Sequence, residues 1–133
     1  MCSDTKSAGQ SLRARRENMR MEASRELLLQ KMLKAANDAR LSYLKAIHAA
    51  RNRDFDKAKN LLETGDGHAD IGHEIHTSLM QEILSLSGKE LLLLIHAEDQ
   101  LTGAEGNKAL AVESIHIYQA MQYAQSNVGS HAV

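Results

Sequence analysis

Not one proline interrupts the 133 residues of this chain. Proline is the strongest helix breaker, so its absence leaves long stretches free to run as uninterrupted helix. Aromatic residues make up only 3 %. A β-sandwich or barrel draws on more aromatic residues and more frequent turn punctuation than this chain has. The chain is filled instead with Ala, Leu, Met, Glu, Lys and Gln, the good helix formers. Its length corresponds to one domain with a modest core.

Hydrophobic spacing divides the chain into three helical patterns. The first runs from about Asn18 to Arg51, with Leu29, Met32, Ala36, Ala39, Tyr43 and Ile47 at steps of three and four. Asn52-Arg53-Asp54 is a polar break, and Asp54 is a plausible N-cap. The second pattern starts at Phe55 and passes through Ala58, Leu61, Leu62, Ala69, His73, His76, Met80 and Ile83. Gly65, Gly67 and Gly72 interrupt it, each costing about 1 kcal/mol relative to Ala in a helix. The apolar phase resumes beyond them, which favours one continuous, locally weak helix over two.

Ser87 and Glu90 have the S-x-x-E spacing of a capping box, so a third helix is predicted from about Gly88 to Ala124. Leu94, Leu101, Ala104, Ala111, Ile115, Tyr118 and Gln122 share one of its faces. The expected organisation is a flexible segment over 1–17, a helical domain over 18–125 and a flexible tail over 126–133. Three long helices with short connections predict an all-α, antiparallel up-down-up bundle. Small residues on the first helix and an apolar excess on the third suggest burial against other subunits.

Charge and cysteine usage narrow the functional classes. A net charge of −1 argues against a dedicated nucleic-acid binder. Arg13, Arg15, Arg16 and Arg20 form a local basic cluster, read most simply as a solvated terminus. Cys2 is the only cysteine, which fits a reducing compartment. No apolar run approaches the ~20 residues needed to cross a bilayer. The first ten residues lack an apolar signal core. A soluble, cytoplasmic protein is the expectation.

The chemistry concentrates in Leu91-Leu-Leu-Leu-Ile95-His96-Ala97-Glu98-Asp99-Gln100-Leu101. In a helix, His96 and Asp99 occupy neighbouring parts of one face. A neutral imidazole is a good nucleophile and titrates near neutrality, as a phosphoryl-accepting group requires. Periodicity alone favours a satisfied histidine beside a solvated aspartate. His73-Glu74-Ile75-His76 reads H-E-x-H, one residue short of the zinc protease spacing. The methionines at helical spacing are most simply core.

Taken together, several segments resemble the lactose/cellobiose-type IIA components of the bacterial phosphoenolpyruvate-dependent sugar phosphotransferase system. They are Ala39-Arg-Leu-Ser-Tyr-Leu-Lys-Ala-Ile47, Arg53-Asp54-Phe55-Asp-Lys-Ala58-Lys59, Gly72-His73-Glu-Ile-His76-Thr77 and Ile95-His96-Ala97-Glu98-Asp99-Gln100-Leu101. The last is similar to the family's V-H-A-Q-D-H-L-M motif. Gln100 stands where the family often has His, and His76 where it usually has Gln. Thr102, Gly103, Glu105, Gly106 and Asn107 replace a more apolar stretch.

The resemblance implies a homotrimer of nine helices. It places His96 at the phosphorylated position and His73 at the second-helix histidine near the active site. It places Asp99 where three carboxylates surround a divalent cation, with magnesium expected and one ion per trimer. The implied donor is the phosphocarrier HPr and the acceptor a cysteine of a IIB component, with a membrane IIC transporter served indirectly. The implied cargo is a β-glucoside-type disaccharide such as cellobiose, chitobiose or lactose. The divergent 102–107 stretch motivates the alternative of a degenerate IIA-like helical module with a regulatory or interaction role.

Overall fold

The computed structural model describes residues 3–130, with side chains from residue 6 onward. Cys2 and the last three residues of the expected tail lie outside the described residues. Three helices account for most of the fold: α1 (Ser3–Arg51), α2 (Phe55–Met80) and α3 (Gly88–Ser130), with a single 3-10 turn (Ile83–Ser85) before α3. Among the described residues there is no strand. No helix among them is long and apolar enough to cross a membrane.

The reversal from α1 to α2 takes three residues. Arg53 adopts a left-handed conformation, φ 64°. The Arg53 N–H donates to Ala50 O and the Asp54 N–H to Ala49 O, both at 2.9 Å, which closes the last turn as a Schellman motif. The Asp54 carboxylate then caps α2, accepting from Lys57 N at 3.2 Å. At the other reversal the capping box forms in both directions. Ser87 N donates to Glu90 Oε2 and Glu90 N to Ser87 Oγ, each at 3.2 Å.

Neighbouring helices are antiparallel, so α1 and α3 run in the same direction. Arg25 fixes that arrangement at one end. It is 8 % exposed, and its guanidinium reaches Glu82 (3.3 Å), Ser85 O (3.1 Å) and the buried Glu90 (3.5 Å). The core holds Leu29, Met32, Ala36, Ala39, Tyr43 and Ala46 of α1, Ala69 and Leu79 of α2, and Leu94, Ala97, Leu101 and Ala104 of α3. Alanines on the inner face of α1 let its neighbours approach closely. A second cluster, Ala49, Ala50, Ala58 and Ile115, closes the far end.

The helices extend further than apolar periodicity predicts. α1 begins at Ser3 rather than near Asn18, and α3 continues to Ser130 rather than Ala124. Every residue from Lys6 to Ser24 is exposed, as is every residue from Ala120 to Ser130. Helix that buries no face within the chain does not need the close three- and four-residue apolar spacing of the core.

The register of α2 also differs. Its buried positions are Ala58, Gly65, Ala69, Gly72 and Leu79, whereas His73 and Met80 are exposed. Gly65 and Gly72 therefore lie on the packed face instead of merely weakening the helix. A Cβ on Gly65 would come within 2.9 Å of the Tyr43 ring, and one on Gly72 within 2.9 Å of Leu101. The glycines are the seats of those side chains.

Candidate functional site

The apolar run Leu91–Ile95 goes all the way round α3. Leu94 points into the core with Ala97, Leu101 and Ala104. Leu92 and Ile95 point outward, 71 % and 55 % exposed. His96 and Asp99 lie on that outer side and are exposed. At about 100° per residue they are some 60° apart around the axis, as the motif spacing predicts. Among the described residues, His96 has no hydrogen-bond or ion-pair partner. Both its flanks are set by a helix that packs on α1 and α2, so an accessible ring sits on a fixed backbone.

The histidines of α2 meet a different side of α3. His73 Nε2 lies 2.7 Å from Glu105 Oε1. His76 Nε2 lies 3.8 Å from Glu98 Oε1 and is buried without a hydrogen-bond partner. Glu98 and Glu105 are about 160–180° round α3 from His96. Within one chain, then, the structure brings His73 to Glu105 and does not bring it to His96. The pairs His73–Glu105 and His76–Glu98 carry no motif of their own and follow from the antiparallel register of α2 against α3. Asp66 to Lys108 (2.9 Å) continues the same seam.

Asp66 also accepts the Tyr43 hydroxyl at 2.8 Å. Burial, and then this carboxylate, push the Tyr43 phenol well above its usual pKa. Tyr43 is thus a neutral structural group that anchors the α1–α2 contact behind the site. An open depression lined by Asp70, His73, Glu74 and Thr77 lies on the α2 side.

Asp99 shares its face with Leu92, Ile95, Gly103, Gly106, Leu110, Ile117 and Met121, all exposed. This stripe is unpartnered in a single chain. Among the described residues no group of three or more His, Cys, Asp or Glu side chains could hold a metal ion. One chain offers one carboxylate here, which is too few for a cation that takes six or more oxygen ligands.

The model of the lactose/cellobiose-specific IIA subunit of the phosphotransferase system matches residues 26–119. The chain is 30 % identical over 99 residues to the lichenan-specific phosphotransferase enzyme IIA component of Bacillus subtilis, covering 74 % of this chain and 89 % of that protein. It is also 30 % identical over 87 residues to the lactose-specific EIIA component of Staphylococcus epidermidis, covering 63 % of this chain and 82 % of that one. No solved structure matches it. The matched span contains His73, His96 and Asp99, and stops short of both exposed helix ends.

Proposed function

This chain belongs to the lactose/cellobiose-specific IIA family of the sugar phosphotransferase system, and we propose that His96 is its phosphoryl carrier. The observation that carries this is the exposed, unpartnered imidazole on α3 inside the family-matched span. IIA components are phosphotransferase components that work with HPr and a IIB component. In the first half-reaction an unprotonated His96 nitrogen attacks the phosphorus of the HPr phosphohistidine. The new N–P bond forms as the donor N–P bond breaks, and the donor ring keeps the electron pair. In the second, a IIB cysteine thiolate attacks the same phosphorus and His96 leaves. Neither step consumes an oxidant or a further co-reactant. The protein's part is position and access, as phosphoryl transfer demands.

The stripe through Asp99 supports assembly as a homotrimer with α3 innermost. Leu92, Ile95, Leu110 and Ile117 would be covered by their counterparts, and Gly103 and Gly106 would let the helices approach. Three Asp99 carboxylates would then meet. They would repel unless partly protonated or neutralised by a hard divalent cation such as magnesium. That ion would be structural, and the phosphoryl chemistry proceeds without it. Because His73 and His96 lie on opposite sides of α3, His73 assists transfer only from an adjacent copy. A β-linked disaccharide such as cellobiose, chitobiose or lactose is the proposed cargo, supported by the lichenan-specific and lactose-specific names of the two relatives. The chain would act in the cytoplasm beside a membrane IIC transporter.

The test is incubation with phosphoenolpyruvate and the general phosphotransferase proteins, followed by mass spectrometry. Acid-labile phosphoryl on His96, absent in His96→Gln, is the expected result. Undiminished labelling of that variant removes the assignment. No labelling of the wild type leaves the degenerate helical module.

A further inference from the structure

We propose that the outer face of α1 docks on an anionic phospholipid bilayer, with the helix lying along the surface. The arm from Lys6 to Ser24 precedes the family-matched span, which begins at residue 26, and buries nothing within the chain. The Arg25 clamp on Glu82, Ser85 and Glu90 holds its base in line with the rest of α1.

Charge and apolar side chains are sorted around this helix. At about 100° per residue, one sector about 120° wide contains Arg13, Arg16, Arg20, Lys31, Lys34 and Lys45. All six are exposed. The same sector contains Leu12, Met19, Leu27 and Leu41, which are 56 %, 69 %, 52 % and 44 % exposed. The only acidic residue of the sector between residues 6 and 48 is Asp38, which pairs with Lys34 at 2.5 Å. Glu17, Glu22 and Glu26 lie outside it. Arg13 pairs with Glu17 at 3.6 Å, but both groups are largely exposed, so neither charge is withdrawn from a partner.

A sector that mixes exposed apolar side chains with cations, its one acid paired with Lys34, is the pattern of a helix that lies in a lipid headgroup layer. From Leu12 to Lys45 it runs about 50 Å in a straight line. That shape suits a planar anionic surface better than a folded acidic protein, which would meet only part of it. Exposed leucines and a methionine among the cations match acyl chains better than the phosphates of a nucleic acid. The chain's overall charge of −1 makes this basic face a local feature rather than a general affinity for polyanions.

The experiment is co-sedimentation of the full chain with phosphatidylcholine vesicles, with and without phosphatidylglycerol. Binding is expected only to the phosphatidylglycerol vesicles, and it should weaken as salt shortens the reach of the charges. Each cation near such a surface is worth about a fivefold change in partitioning. Replacing Arg13, Arg16 and Arg20 together by Gln should therefore weaken it about a hundredfold. Glutamine and arginine have similar helix propensity, and circular dichroism checks that the helices persist. A second variant, Lys31→Gln with Lys45→Gln, should weaken binding about twentyfold to thirtyfold. Binding that the arginine variant leaves unchanged overturns the proposal. So does capture by polyglutamate or duplex DNA with none by vesicles. Phosphoryl labelling of His96 is read separately, so the two conclusions can fail independently.

Discussion

Gly65→Ala and Gly67→Ala should move stability in opposite directions although they lie two residues apart on α2. Both changes gain about 1 kcal/mol of intrinsic helix propensity. Nothing lies within 4 Å of a Cβ at Gly67, so there the gain is realised, at about 0.5–1 kcal/mol. At Gly65 the new methyl would come within 2.8 Å of Tyr43 Cδ1 and 2.9 Å of Cζ. The ring cannot swing aside freely, because Tyr43 is 1 % exposed and its hydroxyl is held by Asp66 at 2.8 Å. Overpacking of this kind costs about 1–3 kcal/mol. A hydrogen bond to a carboxylate, if displaced, adds about 1.5–3 kcal/mol. Set against the propensity gain, Gly65→Ala should be destabilising by about 2 kcal/mol. For a chain of this size that is about 8 °C in thermal midpoint. Urea and thermal unfolding followed by circular dichroism, at matched protein concentration, measure both variants. A Gly65→Ala protein as stable as Gly67→Ala would refute the seating of Tyr43 on Gly65.

Other expectations follow from single contacts. Tyr43→Phe should cost about 1.5–3 kcal/mol at neutral pH through the lost bond to the Asp66 carboxylate. Because the folded phenol titrates above its unfolded value, its contribution is complete below about pH 10 and lost as pH rises beyond it. The wild type should therefore lose its advantage over the Tyr43→Phe variant in alkaline denaturation, and parallel pH profiles would contradict this. Arg25→Ala leaves Glu90 buried without its cation and should cost about 3 kcal/mol in urea unfolding, with Glu90→Gln in the same background restoring part of it. Asp99→Leu should abolish any stabilisation by divalent ions while leaving His96 competent for phosphoryl. If EDTA does not shift the wild-type midpoint and no metal co-purifies, the axial-ion proposal fails.

The features legible in the sequence are those with a local signal. Asp54 and the Ser87–Glu90 box announce two helix starts because capping is a matter of three or four residues. The buried positions of α1 follow from apolar spacing, and the shared face of His96 and Asp99 from their three-residue separation. The inward register of α2 was not legible. Its packed face carries Gly65 and Gly72, whose role is set by Tyr43 and Leu101 arriving from other helices. The partners of His73 and His76 stayed hidden for the same reason, since they depend on how α2 meets α3. The full lengths of α1 and α3 have no apolar signature because their exposed ends are held by propensity and not by burial.

The length of α1 has a hydrodynamic consequence. Its 49 residues make a rod of about 74 Å, whose radius of gyration alone is about 21 Å. A compact domain of 133 residues would have about 14 Å. A single chain should therefore migrate through a gel-filtration column ahead of its mass, where globular standards would assign it to a dimer. Small-angle scattering should show a pair-distance distribution with a long tail beyond the bundle's own width. Deleting the residues before Arg25 should shorten that tail by about 35 Å.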